Sequence, residues 1–173
     1  MSHSIPYPRR NRLKIGTFSE YEGWYFFYGD EMLALTDKEA LALTIYGEAR
    51  GESIEGQIAV ACVIRNRVNS QNKTYTEICQ APFQFSCWNP FDVNYSVLNN
   101  YANQMIAQKT IIDPTLNQCI WIATGIISNS ILDNTKGALN YVTMSLLISG
   151  NAPRWAQNMT NKIQIGNQMF GTA

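Results

Sequence analysis

Glu48 stands in the run Tyr46-Gly47-Glu48-Ala49-Arg50-Gly51-Glu52, and the residues seven, four and three positions before it are Leu41, Thr44 and Ile45. On a helix those positions share one face, so the carboxyl group falls in line with an apolar stripe. Desolvation there favours the protonated acid. Gly51 stops the helix close by, which sets Glu48 on the last turn, beside the negative end of the helix dipole and a second influence against ionisation. A carboxylic acid held protonated in this way is what glycoside cleavage uses to protonate a leaving oxygen. The other reading makes Glu48 a structural partner of Arg50, Arg65 or Arg67, and spacing alone leaves the two level.

A longer pattern favours the first. The run IYGEARGESIEGQIAVACVIRNRV over residues 45–68 resembles the opening of the cell-wall hydrolase family of the SleB and CwlJ type. That family has an E-A-R-G-E element, then a G-Q-x-A-V-A helix ending in N-R-V. Later blocks follow in the same order. Pro82-Phe83-Gln84-Phe85-Ser86-Cys87-Trp88 is similar to its Q-F-S segment, and Asp133-Asn134-Thr135-Lys136-Gly137-Ala138 with Tyr141 to its D-x-T-x-G-A-x-x-Y element. Pro153-Arg154-Trp155 followed by Ile165-Gly166-Asn167-Gln168-Met169-Phe170 is similar to its terminal W…I-G-x-H-x-F. The resemblance covers residues 36–171. It implies a mainly α (α+β), lysozyme-like fold with a buried central helix and a small β element beside the cleft, peptidoglycan as substrate, and Glu48 as the catalytic acid. Three positions depart from the pattern: Gln168 replaces the histidine, Val142 the second tyrosine, and Thr143-Met144 an Asn-Pro pair. They bear on substrate preference and on the strength of catalysis.

The two standard glycosidase routes need a pair of carboxylates. Asp133 and Glu52 are the candidates for a second one, since Glu77 and Asp113 read as helix caps. A lytic transglycosylase needs a single acid/base, and Glu48 alone fits that role at the MurNAc-GlcNAc β-1,4 bond. The alternatives are a hydrolytic muramidase using the second carboxylate and a non-catalytic glycan-binding or virion structural protein. The retained E-A-R-G-E element argues against a pure binder. Gln84, Ser86 and Tyr141 are expected to hold N-acetyl or hydroxyl groups, and Phe85, Trp88 and Trp155 to stack on sugar rings, with at least one of these aromatics belonging to the core.

Composition narrows the rest. The 173 residues are 46% hydrophobic and 15% charged, with 13 basic and 13 acidic side chains. A net charge of zero gives no electrostatic footprint for nucleic acid or an anionic membrane. No stretch approaches the ~20 apolar residues of a membrane span. The only histidine is His3, and Cys62, Cys79, Cys87 and Cys119 have no C-x-x-C spacing, so neither a metal nor another cofactor is expected. Reduced thiols are favoured, with a Cys79–Cys87 disulfide as the alternative in an oxidising compartment. Residues 1–35 read as an extension: a basic arm, then the aromatic run Tyr21 to Tyr28, a cover for the domain or a docking surface for a virion or other protein partner. Polar and acidic residues follow the basic arm where a signal peptide needs an apolar stretch. The expected place of action is the bacterial cell wall, reached from a phage or by lysis, or by export with the leader missing from this sequence.

Residues 36–173 then form the catalytic domain. Thr36 with Glu39 forms a capping box for a helix over 37–49, and Ser53 caps a helix over 54–69 that is apolar nearly all round. Thr74 with Glu77 opens a short helix, and further helices are predicted over 95–109 and 114–129. Residues 139–148 and 163–170 read as short strands or a hairpin.

Overall fold

A computed structural model describes residues 33–173. The expectations for the basic arm and the aromatic run Tyr21 to Tyr28 lie outside the described residues. Five helices form the main layer: α1 (Asp37–Ala49), α2 (Ile54–Gln71), α3 (Tyr75–Cys79), α4 (Tyr95–Ile106) and α5 (Pro114–Ile127). A 3₁₀ turn, Ser86–Trp88, lies between α3 and α4. The C-terminal part carries β1 (Asn140–Thr143), α6 (Met144–Ile148), α7 (Arg154–Gln157), β2 (Thr160–Ile165) and β3 (Gln168–Thr172).

The helix starts are written locally. Thr36 Oγ1 accepts from the Glu39 amide at 3.3 Å while Glu39 Oε2 accepts from the Thr36 amide at 2.8 Å, so two donors at the N-terminus of α1 are satisfied reciprocally. Thr74 and Glu77 repeat the device on α3, and Ser53 caps α2 through the Gly56 amide. Asp113 Oδ1 takes the Thr115 and Leu116 amides at 2.8 and 3.0 Å, ahead of Pro114 in the first turn of α5.

α1 is apolar nearly all round, with Ala40 to Tyr46 buried in one run, and it packs against α2, α3, α4, α5 and the 3₁₀ turn. α2 buries Ala59 to Arg65 and shares the centre with α1; its first residue, Ile54, is exposed. α2 extends two residues past the expected end, to Gln71, before Asn72 enters the left-handed region at φ 53°. α4 stops at Ile106 rather than 109, where Gln108 takes φ 53°.

The sheet order is β1-β3-β2, antiparallel throughout. Pairing sets Tyr141 opposite Phe170 and Val142 opposite Met169. Because strand side chains alternate, Tyr141, Phe170 and Gln168 share one face, and Val142 and Met169 the other. The second face is packed by Ala152, Ala156, Met159 and Leu147 from the α6–α7 region. The expected 139–148 segment is thus strand only to Thr143. There the Met144 amide donates to the Asn167 carbonyl at 2.8 Å and the chain turns into α6. β2 starts at Thr160, earlier than expected, with an irregular register between Thr160 and Ile163 where Asn161 has φ 52°.

Candidate active site

Three segments far apart in the chain meet at Glu48. The residue is half-buried on the last turn of α1. Its Oε1 accepts from the Cys87 backbone amide at 3.2 Å, and its Oε2 from the Tyr141 hydroxyl at 3.0 Å. One donor comes from the 3₁₀ turn and the other from β1.

Gly47 is what lets the 3₁₀ turn approach. A Cβ at Gly47 would lie 2.5 Å from Cys87 Cβ, 2.8 Å from its Sγ and 2.9 Å from Leu98 Cδ2. Thr44, one turn back and buried, clamps the same turn: its Oγ1 accepts from Trp88 Nε1 at 2.9 Å and donates to the Ala40 carbonyl at 2.7 Å. Asn94 holds the Gly47 carbonyl at 3.3 Å and accepts from Arg50 at 2.6 Å. On the sheet side, Tyr141 rests on Phe170 with ring centroids 5.7 Å apart. Burial, the Glu48 charge and the bond to it push the Tyr141 phenol well above its ordinary pKa, so it stays a protonated donor.

The arginines that sequence offered as partners are engaged elsewhere. Arg50 lies over the Tyr46 ring at 5.2 Å and donates to Asn94. Arg65 donates to the Ile131 carbonyl at 2.8 Å. Arg67 donates to the Leu139 carbonyl at 2.7 Å and to Gln84 Oε1 at 3.2 Å, with its guanidinium 5.4 Å from the Phe85 ring centre. Burial lowers the Arg67 pKa, opposed by Tyr141, Cys79 and Glu48. Its charge therefore acts on the site without a direct ion pair.

Among the other expected site residues, Gln84, Ser86 and Trp88 lie on or next to the loop that delivers the Cys87 amide. Gln84 is exposed and bonded to Arg67, and Ser86 Oγ donates to Asp92 at 2.8 Å. Phe85 requires a correction: at 3% exposure its ring offers no face to a sugar, because it is packed into the core beneath Arg67. Trp155 is 42% exposed, but α7 packs through Ala156 with Val142, on the sheet face opposite Tyr141. The two donors on Glu48 are the Cys87 amide and the Tyr141 hydroxyl, and neither comes from α7.

Asp133 is also corrected as a second carboxylate. Its Oδ1 accepts the Thr135 amide at 2.7 Å and the Thr135 hydroxyl at 2.6 Å, and its Oδ2 the Gly137 amide at 2.8 Å and Asn66 Nδ2 at 3.1 Å. Burial raises its pKa, but the bonds from Thr135, Asn66 and Gly137 outweigh it and hold the carboxylate below its usual value. With two bonds on each oxygen it is a turn anchor with little capacity left to act as a base. Glu52 Oε2 accepts from the Asn167 amide at 3.2 Å and ties the α1–α2 junction to the β2–β3 turn. Gly166 passes so close that a Cβ there would lie 2.6 Å from that oxygen.

Sequence reasoning placed Thr44 on the Glu48 face but missed its bond to Trp88, and it missed Asn94 and the Cys87 amide. A backbone donor leaves no side-chain signature, but a glycine inside a helix directly before the acid was a usable signal of close approach. Cys79 and Cys87 are separate buried thiols, as are Cys62 and Cys119. Among the described residues, no group of three or more His, Cys, Asp or Glu is placed to hold a metal ion, and no helix is long and apolar enough to cross a membrane.

A family model described as Cell Wall Hydrolase matches residues 51–171. The match begins three residues after Glu48. Spore cortex-lytic enzymes of Oceanobacillus iheyensis and Bacillus subtilis are each 62% identical to the chain over 34 residues, 20% of its length. That stretch spans 12% and 11% of those two proteins. The catalytic domain of the Bacillus cereus SleB protein superposes with a TM-score of 0.51 at 25% identity, over 78% of this chain and 88% of that one. The catalytic domain of the germination-specific lytic transglycosylase SleB from Bacillus anthracis gives 0.50 at 24% identity, over 78% and 93%. The architecture is the mainly helical, lysozyme-like fold of these domains, with the small sheet beside Glu48.

Proposed function

Since the chain belongs to the cell wall hydrolase family, we propose that it cleaves peptidoglycan glycan strands at the MurNAc-GlcNAc bond as a lytic transglycosylase, with Glu48 as its one acid/base. The observation that carries this reading is the pair of donors on Glu48: a phenol on one oxygen and a backbone amide on the other. Donors so placed fix the carboxyl group's orientation and stabilise it once it has given up its proton. Asp133, with each oxygen bonded twice, is spent on its turn, which favours a route with one carboxyl group.

Glu48 protonates the glycosidic oxygen as the bond to the muramic anomeric carbon breaks. The resulting carboxylate then takes the proton of the muramic C6 hydroxyl. That oxygen bonds to the anomeric carbon and closes a 1,6-anhydro ring, and Glu48 is returned protonated. Proton transfer of this kind contributes about 10²–10⁴-fold, with positioning of the sugar supplying the remainder. Mass analysis of peptidoglycan digested by the full chain tests the reading. Muropeptides ending in anhydro-muramic acid are expected, and Glu48→Gln is expected to release none while its folding stability stays within about 1–2 kcal/mol of the parent. New reducing ends would move the reaction to hydrolysis, with Glu52 as the remaining carboxylate. Wild-type cleavage by Glu48→Gln would end the assignment.

A further inference from the structure

Arg67, near the C-terminal end of α2, touches both of the segments that bring a donor to Glu48. Its Nε donates to the Leu139 carbonyl at 2.7 Å, two residues ahead of Tyr141. Its Nη1 donates to Gln84 Oε1 at 3.2 Å, and its guanidinium lies over the Phe85 ring, 5.4 Å from the ring centre. Gln84 and Phe85 lead directly into the 3₁₀ turn that carries the Cys87 amide. The strand side has anchors of its own. Asn66 donates to the Ala138 carbonyl at 3.1 Å, and the Leu139 amide donates to the Gly171 carbonyl at 3.1 Å. The far end of the turn is held by Trp88 Nε1 on Thr44 at 2.9 Å. Its near end meets Arg67, which spans from there to the fixed strand.

We propose that Arg67 is a positioning residue: it seats the Cys87 loop against the entry of β1 and so sets the gap between the two donors that hold Glu48. The side chain suits this task. A guanidinium is planar, presents its N–H groups in a rigid fork and can lie on an aromatic face, so one group makes all three contacts at once. A lysine carries the same charge but gathers its donors on one atom and has no plane to lay on the ring. The role is therefore one of shape, and charge alone does not replace it. Released from Arg67, the near end of the turn is free to shift while β1 stays pinned, and the Cys87 amide moves off Glu48 Oε1. The inference rests on the reading of Glu48 as the acid and adds the residue that keeps its two partners in register.

The test compares Arg67→Met, Arg67→Lys and Gln84→Ala with the parent, all as the full chain. NMR of the free protein reads the geometry. In Arg67→Met the Cys87 amide signal should move while the Ala138 amide signal stays put; an unmoved Cys87 signal overturns the proposal. Kinetics on soluble, uncrosslinked glycan strands read the consequence. In Arg67→Met kcat should fall about 10–100-fold with KM within about threefold of the parent, the pattern of an interaction that matters only in the transition state. A raised KM with kcat unchanged would make Arg67 a substrate contact and overturn the positioning role. Arg67→Lys should match the Met variant, and parent-level kcat in it would reduce the residue to its charge and refute the claim of shape. If neither Arg67 variant folds, Gln84→Ala decides, since it removes one bond at an exposed side chain and leaves the guanidinium in place. Its Cys87 signal should move in the same direction, and no movement refutes the proposal. A parent that releases no muropeptides fails the enzymatic reading alone, because the Cys87 and Ala138 signals decide this inference without turnover.

Discussion

Gly47→Ala sets two opposed effects against each other at the catalytic candidate. In a helix interior, alanine is favoured over glycine by about 1 kcal/mol, so propensity alone makes the variant more stable. The added Cβ, however, would sit 2.5 Å from Cys87 Cβ, 2.8 Å from its Sγ and 2.9 Å from Leu98 Cδ2, where carbon contacts belong at about 3.5–4 Å. Cys87 Cβ is fixed to the backbone, so no rotamer relieves the clash and the 3₁₀ turn must retreat by about 1 Å. Overpacking of this kind costs about 1–3 kcal/mol. The net loss is about 0–2 kcal/mol, or up to roughly 8 °C for a domain of this size. Activity should fall much further, because the retreat takes the Cys87 amide off Glu48 Oε1, and misplacement by about 1 Å costs on the order of 100-fold. Gly51→Ala is the control: nothing lies within 4 Å of its added Cβ, and it should melt at or above the parent. Thermal melts and muropeptide release decide the matter together. A Gly47→Ala protein more stable than the parent and equally active would refute the claim that this close approach builds the site.

Asp133→Asn keeps one acceptor oxygen but sets an NH2 group against the donors on the other, so two of the four bonds of the anchor are lost, which should cost about 3 kcal/mol, yet molecules that stay folded at low temperature should still cleave; a stable but inactive variant would give Asp133 a chemical role. The thiols are buried, and burial raises Cys62 to about 11, Cys79 and Cys119 to about 12, and Cys87 higher still. A disulfide-exchange reagent at neutral pH should therefore find almost no reactive thiol in the folded protein and four after unfolding without reductant; finding two would establish a disulfide. Asp113 and Asp133 both have folded pKa values below the usual carboxylate: burial opposes ionisation in each, but bonds to Asp113 from Tyr101, Leu116, Tyr46 and Thr115, and to Asp133 from Thr135, Asn66 and Gly137, prevail. Their stabilisation is fully present above the unfolded value of about 3.9 and is lost as pH falls through the folded values, because the unfolded chain then binds more protons. Melting temperature should drop below about pH 4, and Asp113→Asn should flatten that drop; an unchanged acid slope in the variant would count against the linkage.

The parts of this fold that sequence reveals are those set by neighbours along the chain. Thr36 with Glu39 and Thr74 with Glu77 cap within three residues, and both boxes form. Glu48 was visible because the helical period links it to Leu41, Thr44 and Ile45, all three of them buried. Its partners were harder to see. Tyr141 is 93 residues away and is reached only through a family-like pattern, and the Cys87 amide, 39 residues away, is a backbone group that any residue type could supply. Periodicity also does not say which side of a sheet faces the acid, and only the pairing of β1 with β3 together with the bond to Glu48 puts Tyr141 on that side and Val142 on the other. Asp133 was misjudged for a different reason. Its own turn already carried the answer: an aspartate followed by Thr135 and Gly137 is a residue whose carboxylate can fold back onto amides two and four positions on. Both bonds are present, at 2.7 and 2.8 Å. A carboxylate that has such local partners is poorly available for chemistry, whereas Glu48, at the end of a buried helix, takes its partners only from distant segments.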